Sequence, residues 1–225
     1  MTLSAEERRS TPLDVPTAIN ERRSIKSFTS DPIADDLLKQ LVDLTIAAPS
    51  SWNLQDWRII LVQDEEKKKA LCEAAFNQEM ITQAPVTFVF AADPYAWKDE
   101  ETMEQIYSQA MENGAWNEGT VGYFKKAIPQ FQENLGAKNR EYAVKDAIIA
   151  ATQLTLAAES LGLSTCFMNG WVEDKVKAVI GAQNTDLAIA VVVPVGYKAE
   201  PRDNPGRLPY EKNIFVDTIA TAYQG

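Results

Sequence analysis

The sequence contains no histidine among its 225 residues. Ser-His-Asp and Cys-His catalysis both need an imidazole that accepts a proton and returns it, and the usual zinc sites include histidine ligands. These mechanisms are therefore excluded, and we expect no metal site and no catalytic side chain of this kind. Chemistry has to come from other side chains, from the backbone or from a bound cofactor.

Cysteine is nearly absent as well, since the chain has only Cys72 and Cys166, far apart and outside any CxxC pair. This usage is typical of a reducing compartment without structural disulfides. No apolar run is long enough to cross a membrane, and the polar residues 1–14 lack the apolar core of a signal peptide. We therefore expect a soluble, cytoplasmic protein with no membrane partner.

Positive charge is in the minority, with 22 lysines and arginines against 32 acidic residues and a net charge of −10. Such a surface repels nucleic acid, which we do not expect as a partner. Arg22, Arg23 and Lys26 nevertheless lie within five residues, around Ser24. A local site for a small anion would explain this cluster. The alternative is that Arg22 and Arg23 only stabilise the C-terminal end of a helix.

The length fits one domain, residues 1–225, because domains commonly contain roughly 100–200 residues. Apolar periodicity and capping residues predict helices at 15–23, 34–48, 64–76, 140–161 and 172–181. Short apolar runs predict strands at 57–63, 86–93, 164–170 and 187–197. Regular β-α-β alternation, a GxGxxG motif and a P-loop are all absent, so this order predicts an α+β fold.

Residues 96–138 differ from the rest of the chain because they combine many charges with interleaved aromatic side chains. We interpret this segment as two helices that stand off the core, and excursions of this kind often cover active sites. Residues 198–225 have little helical period until the end. They predict an extended tail laid over another surface.

Four short segments combine polar or charged residues with glycine, proline or both. They are RRSIKSF at 22–28, APSSWNLQDW at 48–57, GLSTCFMNG at 162–170 and GYKAEPRDNPGRL at 196–208. Each segment alone also fits a simple structural interpretation: a helix end, a turn, a helix cap followed by a core strand, or a surface turn with a solvated arginine.

Taken together, in this order and spacing, the four segments resemble the nitroreductase family of flavin enzymes. The resemblance extends from about Asp14 to Arg207. It implies an α+β nitroreductase-like fold, with a central mixed, mainly antiparallel sheet flanked by helices and a C-terminal tail that extends onto a partner subunit. It also implies a homodimer with FMN at the subunit interface, and NADH or NADPH as the reductant.

The resemblance assigns roles to residues of the first and fourth segments. Arg22, Arg23 and Ser24 would bind the phosphate and ribityl end of FMN, and Arg207 from the tail would approach the phosphate from another side. Arginine suits this role because its planar guanidinium matches phosphate geometry. Lys26 would lie toward the flavin ring and give electrostatic support to the reduced ring.

The second and third segments would contact the rest of the flavin. The partner subunit would supply Pro49, Ser50, Ser51, Asn53 and Gln55, with the Asn53 amide on the ribityl or pyrimidine edge. Beside the central ring the family pattern places Phe167, Met168, Asn169 and Gly170. Their backbone N–H groups could donate to flavin N5, where hydride arrives and leaves.

The implied activity is that of an FMN-dependent NAD(P)H oxidoreductase. NAD(P)H would reduce the flavin and leave, and an electron-poor acceptor such as a nitroaromatic or a quinone would then occupy the same site. Three alternatives remain: a reductive dehalogenase-like enzyme of the same fold, a protein that stores or senses FMN without turnover, and a structural dimer that has lost the flavin. Asp56 stands where the family usually has proline, and Pro205 where many relatives have lysine. These departures leave the acceptor open.

Overall fold

The computed structural model describes residues 11–224. The polar residues 1–10 lie outside the described residues, and so does Gly225. Within the described range, no helix has the length and apolar character needed to cross a membrane.

A four-stranded sheet forms the centre of the molecule. Its strands are β1 Trp57–Val62, β2 Val86–Ala92, β3 Ser164–Thr165 and β4 Ala188–Gly196, in the order β1-β2-β4-β3. All three strand pairs are antiparallel, which confirms the predicted α+β fold with a mainly antiparallel sheet. Every residue of β2 and β4 is buried, because helices cover both faces of the sheet. This explains why both strands read as unbroken apolar runs.

The described part of the chain contains eight α-helices, most of which pack against the sheet. They are α1 Val15–Glu21, α2 Asp35–Ile46, α3 Glu65–Ala74, α4 Met80–Gln83, α5 Glu100–Glu112, α6 Glu118–Leu135, α7 Asn139–Ser160 and α8 Glu173–Val179. The predicted caps are confirmed: Asp14 accepts a hydrogen bond from the Thr17 amide at 2.8 Å, and Asp64 accepts one from the Lys67 amide at 2.9 Å. The four-residue helix α4 is too short to give a periodic signal and was not predicted.

The sheet separates two apolar clusters. On one face, α2 and α7 pack against the strands, and the fully buried Ala147, Ala151 and Leu154 of α7 contribute to the core. On the other face, α3, α4 and α8 cover the same strands. The small alanine side chains of α7 let the helix approach the sheet closely.

The predicted excursion consists of α5 and α6, joined by a turn at Gly114. Apolar side chains of these helices form a third cluster of their own, which includes Ile106 and Ile128. This cluster also takes in Leu54 and Trp52 from the loop that follows α2. The excursion is therefore packed directly on the second of the four sequence segments.

Gly196 ends β4 at a point of close approach. A Cβ atom at this position would lie 2.6 Å from Cδ of Pro85 and 3.3 Å from Cδ1 of Phe28. Only glycine fits there without displacing its neighbours, so the contact explains both the glycine of the fourth segment and the phenylalanine of the first. From this point the tail leaves the core, and its side chains of residues 199–213 are exposed.

Candidate functional site

The first segment leaves α1 and runs in an extended form beside β3. The Ile25 amide donates to the Thr165 carbonyl at 2.9 Å, and Ser24 forms a parallel bridge with Thr165. Ile25 is buried in the core, whereas Ser24 and Lys26 are exposed. Alternation along an extended stretch therefore presents Ser24 and Lys26 on the same side.

A cavity of about 290 Å³ lies where this segment meets the tail. Its lining consists of Arg22, Arg23, Ser24, Lys26, Arg202, Asp203, Asn204, Pro205 and Arg207. A second cavity of about 640 Å³ adjoins it, since Lys26 and residues 202–205 line both. Five cationic side chains thus face the smaller cavity against one carboxylate, in a chain whose net charge is −10. This charge makes the cavity suited to a dianionic group.

The structure qualifies the role of Arg23. Its guanidinium donates to the carbonyl of Asn20 at 2.6 Å and to the carbonyl of Arg22 at 2.8 Å. These bonds satisfy carbonyls at the C-terminal end of α1, so the helix-end interpretation applies to Arg23. Arg23 also lines the cavity. It can therefore contribute positive charge there, but fewer of its N–H donors are left for a ligand.

Arg207 meets the first segment only through the fold, because nearly 200 residues separate them in the chain. The left-handed Gly206, with φ of 82°, turns the tail just before it. Arg202 lines the same cavity, and sequence reasoning missed it. The only available signal was its position in the segment 196–208, where it is one of two arginines.

Lys26 has a specific partner in the third segment. Its ammonium donates to Sγ of Cys166 at 3.2 Å, and Cys166 is fully buried. The parallel bridge between Ser24 and Thr165 brings the two residues together, since each lies one or two positions beyond it.

The second segment forms a tight loop after α2. Trp52, Asn53 and Gln55 all have left-handed backbone conformations, with φ of 56°, 55° and 47°. The Ser50 hydroxyl accepts a hydrogen bond from the Gln55 amide at 3.0 Å, which closes the loop. None of Pro49, Ser50, Ser51, Asn53 and Gln55 lines the cavity described above. Within one chain the structure therefore does not bring them to Arg22 and Arg207.

The third segment is only partly available to a ligand. The Met168 amide donates to the Val192 carbonyl at 3.0 Å, and its side chain is buried in the core. The structure thus corrects the expectation that Met168 lines a flavin ring or donates from its amide, because both groups are already used. Phe167 is half-buried, Asn169 is exposed and Gly170 is half-buried, so these positions remain open for contact.

Two buried carboxyl groups lie behind the loop of the second segment. Asp146 of α7 accepts hydrogen bonds from the Ser51 amide at 2.9 Å and from the Ser51 hydroxyl at 3.2 Å. Burial raises the pKa of Asp146. Burial, and next the charge of Asp146, raise the pKa of Asp56 to about 8. Sequence reasoning noted Asp56 only as a departure from proline, and it missed Asp146 because an aspartate within a helix gives no signal of burial.

Across residues 11–224, acidic and cysteine side chains form no group suited to holding a metal ion. The cavity instead offers the donors of four arginines, Lys26 and Ser24. These are groups that bind an organic anion.

Comparison with known proteins gives consistent matches along the chain. The model described as "Nitroreductase family" matches residues 19–197. A protein named NADH dehydrogenase from Thermus thermophilus is 34% identical over 204 residues, covering 90% of this chain and 96% of that protein. A protein named FMN reductase (NADPH), from Bacillus subtilis, is 30% identical over 208 residues, which cover 89% of this chain and 74% of that protein. One solved structure is described as a nitroreductase in complex with FMN, from Exiguobacterium sibiricum. It matches with a TM-score of 0.81 and 25% identity, over 89% of this chain and 95% of that chain.

Proposed function

The chain belongs to the nitroreductase family, and we propose that it is an FMN-dependent NAD(P)H oxidoreductase that delivers electrons to electron-poor acceptors such as nitroaromatics or quinones. When bound, FMN supplies a ring that accepts hydride from NAD(P)H and passes it on. The observation that carries the proposal is the convergence of Arg22, Ser24, Lys26, Arg202 and Arg207 on one cavity.

The cavity fits the phosphate end of FMN. A phosphate monoester carries about two negative charges near neutral pH, and arginine binds it through two parallel N–H donors. Arg22 comes from the first segment and Arg207 from the C-terminal tail, and both line the cavity. Ser24 adds a hydroxyl donor. Arg202 adds further positive charge from the tail. This set holds the phosphate without needing a helix N-terminus or a glycine-rich loop.

Lys26 is the cation that we expect beside the flavin ring. Reduction of a flavin by two electrons leaves negative charge on its pyrimidine side, and a chain without histidine needs another cation to stabilise it. Lys26 lies on the same side of the extended segment as Ser24. If Ser24 contacts the phosphate and ribityl end, Lys26 is then placed to reach the ring.

In this proposal, a second copy of the chain completes the FMN site. The loop 49–55 does not reach the cavity in its own chain, so a second copy is the source that would bring Asn53 and Gln55 to the flavin. Several apolar side chains of α1, α2 and α7 are exposed, among them Ile19, Ile46 and Ile149. Tail residues such as Leu208 and Ile219 are also exposed. Association with a second chain would bury these groups.

The excursion gives the acceptor site an aromatic boundary. Trp52 packs edge-on against Phe124 of α6, with ring centroids 5.2 Å apart, and Phe124 also contacts Trp116 at 4.9 Å. Tyr123, beside Phe124, is largely exposed. Because this cluster is built on the loop proposed to contact the flavin, aromatic and quinone-type acceptors suit it by ring contact.

The test is an anaerobic reaction of the purified holoprotein with NADPH or NADH. We expect loss of the oxidised flavin absorbance, followed by its recovery when a quinone or a nitroaromatic is added. Release of the cofactor by denaturation should give FMN. Bound FMN that neither NADH nor NADPH reduces would indicate a storage or sensing protein, and a protein that binds no FMN would refute the proposal altogether.

A further inference from the structure

Asp56 is an acidic residue buried inside the fold. Its side chain is only 3% exposed, and Oδ1 has no hydrogen-bond partner among the residues that the structure describes. An ionised carboxylate with an unpaired oxygen is costly to bury, whereas a protonated carboxyl is much less so. The geometry alone therefore favours the protonated form of Asp56.

The groups around Asp56 strengthen this preference. Helix α7 contributes Asp146, which is also buried, and Tyr142. The end of β2 contributes Asp93, and β1 contributes Arg58, but the Arg58 guanidinium is already paired with Asp93 at 2.9 Å. Asp56 thus lies within electrostatic range of two other carboxyl groups and of one cation whose charge is largely matched. Burial is the main reason that its pKa is raised to about 8, and the Asp146 charge is the next.

Asp146 connects this buried pair to the loop. Its two oxygens hold the amide and the hydroxyl of Ser51, and Ser51 begins the turn that contains the left-handed Trp52 and Asn53. Asp56 follows the same loop, and its carbonyl accepts a hydrogen bond from the Asp93 amide at 2.7 Å. The loop is therefore fixed at both ends next to two carboxyl groups, which repel each other only when both are ionised.

We propose that Asp56 is a positioning residue, and that it keeps the loop 50–55 in its FMN-binding shape only while its carboxyl carries a proton. Loss of the proton places two carboxylates in one buried site, and relief of their repulsion moves Asp146 or Asp56 and with it Ser51. FMN affinity then falls as the pH rises. The inference rests on the proposed function, because the loop affects affinity only if it holds FMN.

The linkage between FMN binding and protonation of Asp56 determines how the apparent Kd changes with pH, and over which pH range. If FMN binds only the form with protonated Asp56, the apparent Kd is constant well below pH 8 and rises above it. With a pKa of about 8, the Kd should increase up to about tenfold between pH 7 and pH 9. The FMN phosphate does not contribute to this change, because its second ionisation is complete above about pH 7.

Fluorescence titration of the apoprotein with FMN, at several pH values from 6.5 to 9.5, measures the effect directly. We expect the wild type to lose affinity above about pH 8, and Asp56→Asn to show a nearly constant Kd. Asp56→Ala is a second neutral variant, and Asp43→Asn, at an exposed aspartate of α2, is the matched control that should behave like the wild type. Equal pH dependence in the wild type and both neutral variants would overturn the inference.

The thermal midpoint of the apoprotein gives a readout that does not depend on FMN. A raised pKa in the folded state means that folding takes up a proton between the unfolded and folded pKa values, so the contribution of Asp56 to stability falls as the pH rises from about 4 to about 8. Asp56→Asn should lack this part of the fall and should melt higher than the wild type at pH 8. If neither the wild type nor Asp56→Asn binds FMN at pH 7, the proposed function fails. If both bind FMN but their melting temperatures depend on pH in the same way, only the Asp56 inference fails.

Discussion

The ammonium group of Lys26 lies 3.2 Å from the sulfur of Cys166, a residue with no exposed surface. The contact joins two of the four sequence segments, and Lys26 also lines the cationic cavity. A lysine that only extends into solvent would have no such partner, although part of this side chain is exposed. The fold therefore favours a position of the charge beside the cavity.

Replacing Lys26 with methionine removes this charge while keeping most of the side-chain length. We expect a lower two-electron midpoint potential of the bound flavin and slower reduction by NAD(P)H, because the reduced ring loses its nearby cation. FMN affinity should largely persist, since Arg22 and Arg207 remain. Spectroelectrochemical titration of the holoprotein measures the potential, and Lys39→Met, at an exposed lysine of α2, is the control. An unchanged potential with FMN still bound would make Lys26 a surface charge only.

Replacing Arg207 with alanine should weaken FMN binding more than it alters the chemistry. A hydrogen bond to a charged group contributes roughly 1.5–3 kcal/mol, so the Kd should rise on the order of tenfold to a hundredfold. Equilibrium titration at fixed ionic strength gives the affinity. Lys212→Ala removes another exposed tail cation that does not line the cavity and should leave the Kd unchanged. Wild-type affinity in Arg207→Ala would show that this arginine does not bind the phosphate.

The ring contact between Trp52 and Phe124 should couple the loop to the excursion. Their centroids are 5.2 Å apart with an interplanar angle of 86°, a geometry that contributes about 0.5–1.5 kcal/mol beyond the area buried. A double-mutant cycle of Trp52→Ala and Phe124→Ala, read by urea unfolding of the apoprotein, should give a coupling energy in that range. A parallel cycle of Trp52→Ala with the exposed Tyr95→Ala should be additive. A coupling energy near zero for Trp52 and Phe124 would mean that the two elements are energetically independent.

The homodimer should persist at low micromolar concentration. Exposed apolar side chains on α1, α2 and α7, together with the exposed tail, leave a single chain with unburied surface that association would cover. Sedimentation velocity over a dilution series is the measurement. Replacing Ile149 with glutamate places a charge on α7 at an exposed apolar position and should shift the distribution toward monomer with loss of FMN. A folded monomer that retains stoichiometric FMN would contradict a site shared between two chains.

Much of this architecture follows from local sequence pattern. The unbroken apolar run of β4 indicated a buried strand, and the apolar period of residues 140–161 indicated the long helix α7. Asp14 and Asp64 marked helix starts, because a carboxylate there satisfies amides that the helix leaves free. The missing histidine excluded whole classes of catalysis, and the clustering of Arg22, Arg23 and Lys26 pointed to an anion. Each of these signals depends on residues that are close in the chain.

The tertiary structure alone decided which distant groups meet. It brought Arg202 and Arg207 to Arg22, paired Lys26 with Cys166, and placed Met168 in the core, where its amide is used by Val192. It also buried Asp56 beside the helical Asp146. A sequence lists acidic residues without stating their surroundings. Whether a carboxyl group is ionised depends on the water and the charges around it, and these are determined only when the chain has folded.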